Sequence, residues 1–534
     1  MPLPANNTAW PPPHYHPMLT KFAEHASWYA NDIDALTAQY TGEAATDGVV
    51  KRAAKAAVRY FWGEKRTDLT KPAERKLHVP VASDLAQASA DLLFSEPPTV
   101  AVEPVSVRTE DGQDLTDTVT QERLNAICDE RFHQTLASAA ETAAALGGVF
   151  LRATWDESVI ADRPFVTKID YDAAIPEFRF GVLTAVTFWQ VVKTNGTSVY
   201  RHLERHETDA FGIGVIFHGL YQGTKDNLGS IVPLTEHEST RDLQVDAESK
   251  ISTLTPGLDV FHMPNVAPNR RWRSDPVGKN LGRSDFDGIE PTLDALDEAY
   301  TSLMRDIRLG KAMLVVPEGM LQNNGPGRGT SFEQSEIYSP INAAPGTVAD
   351  QKLAVEQVQF AIRIEEHERT ISLLWNTIIR SAGYSAQTFG EGGDVAITAT
   401  EVFAKERRSG MSRNRKIRSA QQAVVGLVEK LLAIDAAVFN SGADTSLPVD
   451  VVFADGVQDD PEALARTAQL LAASLSASIE TRVRLVNPGN DEPWIKAEVE
   501  RIKRENQLPE FEDPDTLGID GNGLSDAFTD GGAE

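Results

Sequence analysis

His202 and His206 stand four residues apart. On a helix that spacing lets two imidazoles share one zinc ion. The segment around them, Val199 to Glu207, is rich in strand formers, and a strand sets the two on one face about 13 Å apart. Leu203 also fills the position beside the first histidine where a zinc protease keeps its glutamate. Asp285 with Asp287, and Glu365 with Glu366, could hold a divalent ion for phosphodiester cleavage. Carboxylates at a helix start more often satisfy its free N–H groups, and that is the reading here. Asp459-Asp460-Pro461-Glu462 reads the same way, with Asp460 as cap and Pro461 as first helical residue. A calcium loop counted from Asp513 fails, because Leu517 and Leu524 stand where ligands belong. Gly325-Pro326-Gly327-Arg328-Gly329 lacks the strand and helix that a phosphate-cradling loop needs. Neither Gly-x-x-x-x-Gly-Lys-Ser/Thr nor Gly-x-Ser-x-Gly occurs. The expectation is a non-enzyme with no catalytic residue, no metal and no cofactor.

The elements must therefore carry the function. The 534 residues hold 51 basic and 78 acidic side chains, a formal charge of −27. Hydrophobic residues at 41% and charged residues at 24% are globular values, so wholesale disorder is excluded. The length exceeds what one core usually organises. The charge argues against a sequence-reading DNA binder with a basic face, but not against a conduit that must let DNA slide. The lone Cys128 forms no internal disulfide. The Pro-rich start, Met1 to Pro17, lacks a basic region followed by an apolar one, which argues against a secretory signal. No apolar run of about 18 residues occurs, so no membrane partner is expected.

Periodicity predicts an amphipathic helix over Met18–Tyr40 and a basic one over Lys51–Tyr60. A third helix follows Ser83 as N-cap and stops at Pro97-Pro98, and a fourth spans Asp117–Ala145. Gly147-Gly148 opens a β-rich stretch to residue 265. Its predicted strands are 149–155, 164–170, 182–192, 199–207, 215–221 and 231–234. Leu293, Leu296, Tyr300, Leu303 and Ile307 then make a heptad-like seam for packing along another helix. Ala312–Val316 reads as a strand. Residues 350–381 read as a second long helix, and Gly383–Asp394 as a loop with four glycines. A third long helix runs from about Thr398, behind a capping-box pattern, to Asn440, roughly 60 Å. Seven basic residues and one acid lie between Lys405 and Arg418. Val449–Phe453 is a predicted strand, and 461–485 and 493–507 are final helices. The segment Glu505–Glu534 has nine acids and no Lys or Arg, a composition expected to stay disordered.

Several phrases in this order resemble the portal proteins of tailed bacteriophages, in particular the long-tailed-phage portal family. They include Trp10-Pro-Pro with the Trp28 helix, Leu77-His-Val-Pro80, and Ala90-Asp-Leu-Leu-Phe-Ser-Glu-Pro-Pro98. Further phrases are Ala145-Leu-Gly-Gly-Val-Phe-Leu-Arg152, Arg201-His-Leu-Glu-Arg-His-Glu207, Gly282-Arg-Ser-Asp-Phe-Asp-Gly288 and Ala477-Ser-Ile-Glu-Thr-Arg-Val483. One departure is Gly392-Gly-Asp-Val-Ala396, where relatives show a Ser-Gly-x-Ala-like stretch.

The resemblance implies an α+β portal-type fold with an α/β wing, a long-helix stem, a small α/β clip, a tunnel loop and a helical crown. On this chain the wing would be 1–284, the first stem helix 285–310, the clip 311–350 and the returning stem helix 351–382. The tunnel loop would be 383–397, the long helix and wing return 398–456, the crown 457–507 and the acidic tail 508–534. It further implies a ring of usually twelve copies at one capsid vertex of the virion, assembled in the host cytoplasm. Double-stranded DNA would pass non-specifically during packaging and ejection. The implied partners are terminase large subunit, major capsid protein, scaffolding protein and head–tail adaptor. Gln387, Thr388, Phe389, Glu391 and Asp394 would line the tunnel loop. Leu293, Leu296, Tyr300, Leu303 and Ile307 would pack subunits together. Lys405, Arg407, Arg408, Arg413, Arg415, Lys416 and Arg418 would either touch DNA weakly or meet acids of a neighbour and solvent. The alternative is a structural ring or scaffold without nucleic-acid contact.

Overall fold

The computed structural model describes residues 3–36, 77–102, 106–108, 114–116, 118–309, 313–317, 322–323, 330–331, 338–341, 356–358, 363–390, 399–453, 461–474, 476–487 and 492–505. It is a mixed helix-and-sheet structure divided into two units, Met1–Gly456 and Val457–Glu534.

In the first unit, helix α1 (His16–Tyr29) buries Met18, Phe22, His25 and Trp28 at helical spacing. It ends eleven residues before the predicted Tyr40. Asn31 turns left-handed at φ 54°, and the Asp32 carboxylate accepts from Ala35 N–H to start a new turn. Helix α2 (Val81–Phe94) begins ahead of Ser83, whose hydroxyl donates to the Pro80 carbonyl instead of capping. Ala82, Ala86 and Ala90 lie on its buried face. Strand β1 (Thr99–Val102) follows, then a hairpin of β2 (Ser106–Arg108) and β3 (Asp114–Thr116). The helix expected over 117–145 is two, α3 (Thr118–Ile127) and α4 (Glu130–Leu146). Asp129 breaks it by capping the second, accepting from Phe132 N–H at 3.0 Å.

Gly147 ends α4 at φ 103°, where a Cβ would lie 2.8 Å from the Gly282 carbonyl. A Cβ on Gly148 would strike the Tyr171 ring. Both glycines are therefore needed for the chain to pass between these neighbours. Strands β4 (Gly148–Thr154) and β5 (Phe165–Asp170) form a sheet with β12 (Val260–Pro264), in the order β12-β4-β5. The meander β6 (Ala174–Arg179), β7 (Val182–Asn195), β8 (Ser198–Thr208), β9 (Ile213–Thr224) and β10 (Asn227–Val232) is antiparallel throughout, and β11 (Lys250–Pro256) pairs with β9. Strands β6, β11 and β12 had no prediction. Each is short and holds a proline, which masks strand character in the sequence.

Helix α5 (Glu290–Leu309) leads to a small sheet, where β13 (Met313–Pro317) lies parallel to β16 (Tyr338–Ile341) and antiparallel to β17 (Glu356–Val358). A second pair joins β14 (Gln322–Asn323) and β15 (Thr330–Ser331). The returning helix α6 (Ile364–Ala382) is shorter than the predicted 350–381, because residues 356–358 are spent on strand pairing. Helix α7 (Ala399–Val438) is unbroken over 40 residues, as its proline-free sequence predicts. Its second half buries Ala420, Ala423, Val424, Leu427, Val428, Leu431 and Leu432 in a core shared with α2, α4, β4 and β18 (Val449–Val452). Gly426 lets the Phe261 ring lie flush on the helix, since a Cβ there would stand 2.7 Å from it. Strand β18 pairs antiparallel with β1.

The second unit holds α8 (Pro461–Ala473), α9 (Ile479–Val486) and α10 (Glu492–Glu505), with Val483, Ile495 and Val499 buried together. The helix predicted over 461–485 is interrupted where the Ser478 hydroxyl accepts from Thr481 N–H and caps α9. The basic helix expected over Lys51–Tyr60 and the acidic tail beyond Glu505 lie outside the described residues. Among the described residues no helix is long and apolar enough to cross a membrane.

Candidate functional site

Helices α5 and α6 run antiparallel, since Asp306 near the end of α5 meets Arg363 and His367 at the start of α6. The predicted seam divides along this pair. Leu293 and Leu296 are buried within the chain's own core, beside Trp28, Leu85, Ile378 and Ile379. Tyr300 packs partly against that core, Leu303 is half-buried, and Ile307 is 41% exposed. Leu293 and Leu296 are thus intramolecular residues, a correction to their expected place between subunits.

Carboxylates along α5 are met one by one. Glu290 pairs with Lys21 and accepts from His25 at 3.0 Å. Burial alone would raise its pKa, but the hydrogen bonds from His25 and Lys21 pull it down to about 2. Asp297 accepts from the His78 ring at 2.8 Å and from Val79 N–H at 2.9 Å. His25, Asp287 and Glu290 come close enough to share a cation, but Lys21 already sits on Glu290 and Arg271 on Asp287. His202 and His206 lie on one strand, as expected, and serve the sheet. His206 bridges Asp259 and Glu204. Burial opposes its charge, yet Asp259 and Glu204 raise its pKa to about 9. His202 stacks on His218, 3.2 Å between ring nitrogens.

The α6–α7 connection is where these elements converge. Gly383 closes α6 at φ 100° and Tyr384 turns inward. The Tyr384 hydroxyl donates to Asp285 at 2.6 Å. Lys416 of α7 donates to Asp285 at 2.5 Å, to the Ser89 hydroxyl at 2.6 Å and to the Tyr384 hydroxyl at 2.8 Å, so all three ammonium protons are used. Asp285 also accepts from Asn265 at 2.9 Å. Burial lowers the Lys416 pKa, opposed by the Asp285 charge.

Two serines continue the grip along the same face of α7, at spacings of three and four residues. Ser412 donates to the Gly383 carbonyl at 2.6 Å, and a Cβ on Gly383 would lie 2.8 Å from that hydroxyl. The Ser409 hydroxyl accepts from Ser385 N–H at 2.9 Å and shares a 2.7 Å bond with Thr388. Arg408 donates to the Arg380 carbonyl at 2.6 Å. The first part of the connection is thus held to α7 residue by residue.

This arrangement redistributes the residues expected to face DNA. Lys416 is withdrawn into the core and cannot touch a phosphate, a correction to its expected role. Arg408 holds Arg380, and Arg413 donates to the Leu92 carbonyl at 2.6 Å. Arg407, Arg415 and Arg418 are exposed, and Lys405 lies within α7. Gln387, Thr388 and Phe389 form a single 3-10 turn, Ala386–Phe389. Phe389 packs edge-on against Trp375 and Tyr384 at about 6 Å. It is therefore not a free apolar tip. Glu391 and Asp394 lie outside the described residues. Tyr384, Ser409 and Ser412 went unnoticed in the sequence, and Asp285 was read as a helix-start carboxylate instead of the partner of a lysine. The available signal was Ser409, Ser412 and Lys416 in phase with the buried Ala420 and Ala423.

A family profile described as "Phage portal protein, SPP1 Gp6-like" matches residues 19–508. No curated protein matches the chain.

Proposed function

The chain belongs to the phage portal protein family, SPP1 Gp6-like, and from that premise we propose that it forms a homo-oligomeric ring, twelvefold, whose centre passes double-stranded DNA. Membership assigns the protein to the capsid vertex of a virion and to genome packaging in general. The finer reading places the wing at 1–284, stem helices at 285–310 and 351–382, the clip at 311–350 and the tunnel loop at 383–397. The long helix and wing return are 398–456, the crown 457–507 and the tail 508–534. Terminase and a head–tail adaptor would dock on the ring, the capsid and scaffolding proteins would surround it, and DNA would also leave through it.

The match over residues 19–508 of 534 carries this reading. Supporting it is the apolar surface that the α5–α6 pair leaves in water away from its base. Ile364 on α6 is 56% exposed, and Met304 and Ile307 on α5 are 38% and 41% exposed. A neighbouring copy would cover such a stripe. In this reading the α6–α7 connection stands at the constriction, with Glu391 and Asp394 discouraging phosphates from settling. The charge of −27 per copy works in the same sense. Native mass measurement with electron microscopy of the purified chain tests the proposal. The expected result is rings with a channel about as wide as a duplex. A monomer at all concentrations and salts overturns it.

A further inference from the structure

The two ends of the β-meander show different chemistry to water. Strands β6 and β7 meet at the pair Arg179–Val182, and β8 and β9 at the pair Thr208–Gly214. Because β7 and β8 run antiparallel, both turns lie at one end of the sheet. Strand β11 reaches the same end, where Gly257 N–H donates to the Gly212 carbonyl at 2.9 Å. This end carries Phe180 at 96% and Phe211 at 91% exposure, with Val182 and Leu254 exposed beside them. The turns at the opposite end, Gly196-Thr197 and Lys225-Asp226, carry no large apolar residue.

The backbone presents these side chains at a cost. Phe180 stands at φ 51° ahead of Gly181 at φ 85°, a two-residue turn that suits Asn-Gly and not a bulky ring. Leu254 stands at φ 58°, and Lys430 of α7 fixes the chain after it by donating to the Thr255, Pro256 and Gly257 carbonyls. The Asp209 carboxylate accepts from Phe211 N–H and Ile213 N–H, both at 2.9 Å, and pins the turn that holds Phe211. Left-handed backbone and apolar surface in water thus fall on the same residues, Phe180 and Leu254. A partner that covers them removes the second cost.

Area and charge select the occupant. Two phenylalanines alone bury about 300–500 Å², a large part of the about 800 Å² that each side gives to a stable protein contact. The Arg179 guanidinium lies 5.7 Å from the Phe180 ring centre and meets no acid among the described residues, so it calls for a carboxylate on the partner. A second copy offers the wrong sign, since the cavity of about 240 Å³ beside α6 is lined by Arg380. The charge of −27 disfavours an anionic membrane.

We propose that Phe180, Val182, Phe211 and Leu254, with Arg179, form a docking surface for a protein other than this chain, one that presents apolar pockets rimmed by carboxylates. The proposal rests on the reading that the chain stands as a ring in a capsid, where the shell protein is the neighbour within reach, and it assigns that contact to one end of the meander.

The test produces the full chain together with the shell protein of the same virus and counts copies of the chain per purified shell. Phe180→Asn/Phe211→Ser/Leu254→Asn puts asparagine at both left-handed positions, where it is tolerated. Its unfolding midpoint and its rings should match those of the unaltered chain, while incorporation into shells should fall about tenfold or more. Phe180→Tyr/Phe211→Tyr should keep incorporation. Arg179→Glu, which leaves every apolar residue in place, should lower it about threefold or more. Lys225→Ser/Asp226→Ser, at the opposite end, should leave it unchanged. Undiminished incorporation of the triple variant or of Arg179→Glu overturns the proposal. So does loss of rings by the triple variant, which makes the surface a contact between copies. Flotation of the unaltered chain, but not of the triple variant, with phosphatidylglycerol–phosphatidylcholine vesicles overturns it in favour of a membrane contact. Absent rings from the unaltered chain count against the portal reading, whereas intact rings with unchanged incorporation count against this surface alone.

Discussion

At its base the α5–α6 pair buries Leu293, Leu296, Ile378 and Ile379, each with at most 2% of its surface exposed, and a lysine with every proton bonded locks it to α7. At its far end the same two helices present Met304, Ile307 and Ile364 to solvent, held by the surface pairing of Asp306 with Arg363 and His367. Surface pairs contribute little, about 0–1 kcal/mol. The base is thus folded by its own chain, whereas the far end leaves an apolar face exposed. In the proposed ring one heptad pattern serves two purposes, intramolecular burial followed by intermolecular contact.

Lys416→Ala attacks the base most directly. It leaves the Asp285 carboxylate buried without its cation and should cost about 3–5 kcal/mol, measured by denaturant unfolding of the full chain. A loss under about 1 kcal/mol would show that the base is not locked from α7. Leu296→Ala should cost about 2–5 kcal/mol by opening a cavity. An unfolding midpoint equal to that of the unaltered protein would place Leu296 outside the core. Gly383→Ala should cost about 1–2 kcal/mol, because φ 100° disfavours any side chain and the new methyl meets Ser412.

Acid separates the two ends further. The folded-state pKa of Glu290 is depressed from 4.5 to about 2. Its contribution to stability is therefore present above pH 4.5 and lost as pH falls toward 2. Glu290→Gln should flatten the fall in melting temperature across that window. Asp306 is also lowered, chiefly by its bond with His367, but this pair is only partly buried, so Asp306→Asn should change the acid profile far less than Glu290→Gln. The smallest effect on folding belongs to Ile307→Ser with Ile364→Ser, within about 0.5 kcal/mol. The same variant should nevertheless fail to form rings. Normal rings from it would erase the distinction between the two ends.

Patterns repeated over many residues were legible in the sequence. The proline-free run gave α7, and alternating β-formers after Gly147-Gly148 gave most of the meander. Breaks set by one side chain were not. Asn31, Asp129 and Ser478 each end or restart a helix through a local hydrogen bond or a left-handed turn, which period-based reasoning passes over. The DNA-facing set failed at Lys416 for a related reason. A lysine in a basic run looks solvated until the fold sets Asp285, 131 residues away in the chain, within reach of its ammonium.

The pairing of β1 with β18 joins residues 99–102 to residues 449–452. A ribosome adding about 5–20 residues per second needs roughly 20 to 70 s to make the chain between them. During that interval β1 has no partner strand, and the face of α4 that receives α7 has no cover. The first unit therefore completes its core only when synthesis is nearly over. An unfinished chain lacks the long helix against which the base of α5–α6 is fixed, so in the proposed ring a nascent copy would join only after α7 and β18 have been made.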